Sequence, residues 1–218
     1  YQWNPSTIFY TSLARGYKAG GFNTDGSLDA DLRRYEPESL INLEVGLSRS
    51  WADETSFLRA SVFRMARHDV QIASSLTRVR IDGSAEFIDY VGNAAAGSNY
   101  GLEMLVNFKA TNNITFHGAL GLLETEYKNF INSAGDNLDG RQQAHAPDYQ
   151  YTLGIDVKIS SKLELGLNIQ GKDSFYFSDS HSARSKEYNL VNASLNYNWN
   201  QWRLTFWGRN LTDEDYLV

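Results

Sequence analysis

No cysteine occurs anywhere in the 218 residues, which excludes thiolate metal sites, disulfide frameworks and a cysteine nucleophile. No apolar run approaches the roughly 18 residues that a membrane-spanning helix needs. That absence leaves a transmembrane β-barrel open, because only alternate residues of such strands meet lipid and the average composition stays polar. An excess of basic charge is also missing: the formal charge is −6, and the lysines and arginines form no patch. Non-specific nucleic-acid binding is therefore not expected. His68, His117, His145 and His181 include no pair at metal-ligand spacing, so no metal site or cofactor is expected. The opening Tyr1-Gln2-Trp3-Asn4-Pro5 carries no charged-then-apolar leader; an exported chain would be mature, or cut from something longer.

What the sequence does have is period-two alternation from end to end, with little helical periodicity. Tyr149, Tyr151, Leu153, Ile155, Val157 and Ile159 share one face of a strand against Gln150, Thr152, Gly154, Asp156 and Lys158. Leu163, Leu165, Leu167 and Ile169 oppose Glu164, Asn168, Gln170 and Lys172. Val191, Ala193, Leu195, Tyr197 and Trp199 oppose Asn192, Ser194, Asn196 and Asn198, and Trp202, Leu204 and Phe206 oppose Arg203 and Thr205. Upstream, Ile41–Leu47 and Tyr100–Phe108 repeat the pattern, and weaker runs lie near Thr7–Tyr17, Ser56–Ile72 and Ile114–Tyr127. The alternation predicts about nine strands.

Alternation alone would fit a soluble sandwich with one wet face. Three features favour a membrane barrel instead. Several runs reach about ten residues, the length of a tilted spanning strand, against the five or six usual in soluble sheets. The connections alternate in length: short turns at Ala52-Asp53-Glu54, Thr111-Asn112-Asn113, Ser160-Ser161-Lys162 and Asn200-Gln201, and long polar loops near 18–37, 73–86, 128–147 and 178–187. Outer-membrane barrels show this asymmetry. Finally, Trp3, Trp51, Trp199 and Trp202 sit beside short turns, and Phe108 and Phe116 flank another, as an aromatic girdle at one membrane interface requires. The charges Glu44, Glu103, Asp156, Lys158, Glu164, Lys172 and Arg203 all fall on the polar face. Arg64 departs from this rule, sharing a face with Leu58, Ala60 and Val62; either a bulge shifts the register there or the residue lies near an interface.

Five segments resemble the TonB-dependent receptor family, in the same order along the chain. They are Ala14-Arg15-Gly16-Tyr17-Lys18-Ala19-Gly20-Gly21-Phe22-Asn23, Tyr35-Glu36-Pro37-Glu38 with Asn42, Glu44 and Gly46, Asn93-Ala94 with Tyr100-Gly101-Leu102-Glu103, Ala146-Pro147-Asp148, and Gly208-Arg209-Asn210-Leu211-Thr212-Asp213-Glu214-Asp215-Tyr216. The resemblance implies a 22-stranded barrel with a plugged lumen, an N-terminal segment that engages TonB, and energised import of a bulky nutrient such as a ferric siderophore. Residues 1–218 are then expected to be an all-β, antiparallel transmembrane barrel wall. They would supply about nine to ten strands, without the plug, the first barrel half or the last strand. Outer-membrane lipid and lipopolysaccharide would surround it.

Other chemistry has a weaker basis in the residues. Asp179, Ser180, His181 and Ser182 could be arranged as a hydrolytic triad, but they read more simply as a polar loop. Asp136-Asn137-Leu138-Asp139-Gly140 hints at a calcium loop but lacks the further acidic ligands, and Asp, Asn and Gly are ordinary turn formers. Substrate contact is expected where the long loops meet the lumen, with Tyr17, Lys18, Phe22, Asn23, Tyr176 and His181 as candidates. A passive porin-type channel and a small-barrel enzyme with an acid/base set at its rim are the rival readings.

Overall fold

The structure, a computed structural model, describes every residue except 52–54, 133–134, 180 and 218, and the backbone alone at 94–95. The short turn expected at Ala52-Asp53-Glu54, Ser180 of the conjectured triad and the terminal Val218 thus lie outside the described residues. Twelve strands follow in order: β1 (Gln2–Asn4), β2 (Thr7–Lys18), β3 (Gly21–Phe22), β4 (Arg34–Tyr35), β5 (Glu38–Ser50), β6 (Phe57–Val79), β7 (Ala85–Lys109), β8 (Ile114–Lys128), β9 (Tyr149–Lys158), β10 (Leu163–Lys172), β11 (Tyr188–Trp199) and β12 (Trp202–Gly208). Ten form one sheet in the order β1-β2-β5-β6-β7-β8-β9-β10-β11-β12, and β3–β4 make a separate two-stranded ribbon. Every pairing is antiparallel between chain neighbours, apart from the inserted ribbon.

The turns at one end of the sheet are as tight as their residues dictate. The Thr111 hydroxyl accepts from the backbone N–H groups of Asn113 and Ile114 (3.1 and 3.0 Å), and Ser160 does the same for Lys162 and Leu163 (3.2 and 3.1 Å). Asn200 takes φ +54° in the two-residue turn between the paired Trp199 and Trp202, a conformation that asparagine tolerates better than most residues.

The expected long loop at 73–86 is a correction. β6 and β7 continue through it as a ribbon, closed only at 80–84, where Gly83 (φ +85°) donates to the Arg80 carbonyl at 2.9 Å. Ser74, Ser75, Thr77 and Val79 on one strand pair with Tyr90, Asp89, Phe87 and Ala85 on the other. One side of the ribbon is covered, with Ile72 and Ile88 buried and the Asn23 amide bonded to Val91, while its remaining positions mix serine, threonine and arginine, so no sustained membrane-type alternation shows in the sequence.

Paired residues in neighbouring antiparallel strands share a face, so the register sorts the whole wall. Tyr10, Gly46, Ser61, Glu103, Gly121, Gln150, Lys172 and Tyr188 form one continuous cross-strand row. The opposite face carries Leu13, Leu43, Val45, Val62, Leu102, Leu122, Leu153, Ile155, Leu167, Leu195 and Phe206. This apolar face is uncovered: Leu13 is 75% and Leu153 53% exposed. A sandwich would bury those positions. Packing is densest instead among the connections at the other end, where Val70, Ile72, Tyr127 and Phe130 form a buried cluster.

The register is unbroken from Phe57 through His68, so no bulge turns Arg64 inward. It stands on the apolar face between Leu43 and Tyr100.

Candidate functional site

The polar row lies on the concave side. A trough of about 840 Å³ touches Tyr10 and Glu44 near one edge of the sheet, Ser61 and Glu103 in the middle, and Gln150, Lys172 and Tyr188 toward the other. A single hollow can reach from β2 to β11 only if the sheet curls toward that face. The resembling glycines have a physical reason here. A Cβ on Gly46 would stand 2.3 Å from the Tyr10 ring, and one on Gly101 2.8 Å from the ring of Phe63. Each aromatic side chain therefore lies across the neighbouring strand's glycine, and Tyr10 Oη reaches Glu44 Oε1 at 2.6 Å. Asn42, on the same concave face, keeps a buried amide oxygen with no partner among the described residues.

Above the trough, the connections form a crown held by side chains that sequence reading passed over. Arg67 donates to Glu38 Oε1 from Nε (2.7 Å) and Nη2 (2.6 Å), and to Gln143 Oε1 from Nη1 (2.8 Å). Gln143 in turn donates to Asn99 Oδ1 (2.9 Å), while its own backbone N–H donates to the Thr125 hydroxyl. Glu38, Thr125 and Gln143 are all buried. Asn93 closes on the 19–37 connection by accepting from the Glu36 N–H (2.9 Å) and donating to the Glu36 and Asp69 carbonyls. Glu38 and Asn93 belong to the resembling segments; nothing local in the sequence marked Arg67 or Gln143.

The six candidate contact residues are dispersed. Tyr17 lies on the apolar face beside Ser39, 81% exposed, while Lys18 pairs with Glu38 on the concave face. Phe22 is exposed in the β3–β4 ribbon opposite Arg34. Asn23 uses its amide on backbone, donating to the Leu32 and Val91 carbonyls and accepting from the Val91 N–H. Tyr176 and His181 do come together in one connection. The guanidinium groups of Arg141 (4.2 Å) and Arg184 (4.5 Å) both lie over the Tyr176 ring, and Arg141 donates to the carbonyls of Ser178 and His181. Asp179 accepts from the Ala144 N–H and from the Tyr127 hydroxyl, and His181 Nδ1 accepts from the Ala183 N–H, so among the described residues Asp179 and His181 each serve other partners rather than each other. The Asp136 and Asp139 carboxylates bond Asn132 and the Phe130 N–H, as turn formers do.

At the opposite end, Trp51 packs edge-on against Phe108 (6.2 Å), Phe108 pairs with Phe116, Trp199 pairs with Trp202, and Trp3 is 67% exposed in β1. These aromatics all cluster at the short-turn end of the wall.

An amphipathic antiparallel wall, apolar outside and polar on a concave inside, is the wall of a wide barrel. The comparisons with known proteins make the class specific. The family model for the TonB dependent receptor-like β-barrel matches residues 1–211, and the chain belongs to that family. The "Pesticin receptor" of Yersinia pestis is 22% identical over 193 residues, covering 86% of this chain and 26% of that protein. Two solved structures share the fold over 99% of this chain and 31% of theirs, both at 20% identity. They are the ferric yersiniabactin uptake receptor FyuA from Yersinia pestis (TM-score 0.78) and the siderophore receptor PiuA from Acinetobacter baumannii (TM-score 0.76). The chain therefore spans between a quarter and a third of the length of these relatives.

Proposed function

We propose that this wall belongs to an outer-membrane importer that admits a bulky, scarce nutrient of the ferric-siderophore class through a plugged lumen, driven by TonB. The observation that carries this reading is the two-sidedness of a single sheet: an uncovered apolar face suited to lipid, and behind it a polar trough suited to a hydrated plug. The partnerless oxygen of Asn42 and the carboxylates of Glu44 and Glu103 on that face offer such a plug acceptors for hydrogen bonds. A TonB-engaging segment would lie with the plug, on the N-terminal side of this wall. The girdle of Trp3, Trp51, Phe108, Phe116, Trp199 and Trp202 marks the periplasmic interface, and the crown faces outward, where substrate arrives. The naming of relatives as siderophore receptors favours that substrate class.

The test is uptake of radioactive iron, delivered as siderophore complexes, by cells with and without the full gene under iron limitation. Deletion is expected to abolish uptake of at least one complex, and so is loss of TonB. Uptake that survives loss of TonB identifies a passive channel, and growth unaffected by deletion sinks the iron reading.

A further inference from the structure

Two arginines stand where an apolar face should carry none. Arg15 is the ninth residue of β2 and Arg64 the eighth of β6, and both follow purely uncharged outward-facing positions: Phe9, Thr11 and Leu13 on one strand, Leu58, Ala60 and Val62 on the other. Arg15 pairs with Ile41, Arg64 with Leu43, and the two strands flank β5. Their backbones are thus about 10 Å apart across the sheet, two strand spacings, and one step apart along it. Both are exposed, and among the described residues neither guanidinium has an ion-pair or hydrogen-bond partner, in contrast to Arg67 and Arg78. Tyr17 and Tyr100 border them on the same face. The nearest acids on this side are Glu124, hydrogen-bonded to Tyr100, and Glu126, paired with Lys128 at 2.8 Å.

For strands tilted about 45°, these positions lie about 16–19 Å above the short-turn end, in the upper part of an apolar band about 25 Å tall. A guanidinium at that depth carries its own methylene stem upward to the headgroup level. There it meets phosphate, for which its planar fork is well matched. We propose that Arg15 and Arg64, flanked by Tyr17 and Tyr100, form a binding site for the phosphates of an outer-leaflet lipid headgroup. This inference rests on the membrane reading of the wall. Charge complementarity selects the occupant: two unpaired cations beside tyrosines at the top of an apolar surface suit a phosphorylated lipid and repel a cationic one.

The test uses the full-length receptor containing this chain, extracted from outer membranes in detergent and titrated with lipid A, followed by native mass spectrometry. Phosphate-free lipid A and inorganic phosphate serve as the comparison probes. The R15Q/R64Q variant is expected to hold lipid A about thirtyfold more weakly than the parent, as loss of two basic side chains at a headgroup layer implies. R15K/R64K keeps most of the binding, and phosphate-free lipid A binds all three proteins alike. Equal retention of lipid A by the parent and R15Q/R64Q overturns the site. Displacement of lipid A by millimolar inorganic phosphate also overturns it, in favour of a free-anion site. Heat-modifiable gel migration verifies that the variants are folded. Recovery of the parent in the soluble fraction would instead overturn the membrane reading itself, and the site with it.

Discussion

The Glu38–Arg67 pair is the joint between wall and crown, and E38Q is the sharpest way to open it. Glu38 is 6% exposed and its carboxylate receives Arg67 through two nitrogens (2.6 and 2.7 Å) and the Gln71 N–H (3.0 Å). Removing one partner of a buried pair costs about 3–5 kcal/mol, because the other charge is left uncompensated. Arg67 retains 22% exposure of its side chain and still has Gln143, so about 2 kcal/mol is a fair expectation for the isosteric amide. At 1.4 kcal/mol per decade, that raises the local opening constant about thirtyfold. Hydrogen exchange on the full receptor reads it at the amides of Gln71, Val91 and Gln143, which are bonded to Glu38, Asn23 and Thr125 respectively. Amides in the β10–β11 pairing should not change. Replacing both partners, as in E38L/R67M, should restore much of the protection, since no lone charge remains. If those three amides exchange within threefold of the parent rate in E38Q, the crown is not held by this pair.

Three further outcomes follow from the same geometry. Y176A should loosen the 173–187 connection by about 1–2 kcal/mol, as two stacked cations lose their ring, and limited proteolysis there should accelerate while Y176F stays near the parent. Burial, with Asp173 nearby, pushes the Asp148 carboxyl above the usual carboxylate range, so its charged form is disfavoured in the folded chain. That penalty applies above the folded pKa and fades as pH falls through it. Exchange of the Leu123 amide, which is bonded to the Asp148 carbonyl at 2.9 Å, should therefore slow toward acid relative to D148N, and identical pH profiles would refute this. Asp25 and Asp82 run the other way: hydrogen bonds from Ser27 and Ser84 hold their carboxyls low, and the stability these bonds give is lost as pH falls. Finally, G46V must displace the Tyr10 ring and its bond to Glu44, an overpacking cost of about 1–3 kcal/mol that should lower the temperature of the heat-modifiable gel shift.

The wall was legible because a membrane-type strand repeats one instruction every second residue. Tyr149–Lys158 and Leu163–Lys172 emerge within a residue of where alternation put them, and their pairing continues without slip across nine residue pairs. The crown was far less legible because its bonds join residues distant in sequence. Arg67 meets Gln143 76 positions away, and Asn23 meets Val91 across 68. A polar residue in a polar loop looks the same whether it binds a ligand or a backbone carbonyl. Asn23, a contact candidate from its loop position, has its amide engaged by main chain, whereas Arg141 and Gln143 stood inside a stretch read only as a long loop.

Where the alternation stops is as informative as where it runs. Below Asp69, the outward positions of β6 are Leu58, Ala60, Val62, Arg64, Ala66 and His68, with one obligate charge among them. Beyond it, where Asp69 adopts φ +52°, Arg78 and Arg80 face Asp29 and Glu86 in ion pairs of 3.0 and 2.9 Å. A strand that kept the same partner and register throughout would have no reason to change composition there unless its surroundings changed. Backbone pairing is indifferent to solvent, while side-chain transfer is not, so the composition break locates a boundary that the hydrogen bonds cannot see. Arg15 and Arg64 stand at that boundary from below, and the ribbon's charges stand above it. Two strands thus place the edge of the apolar layer near the same level of the wall.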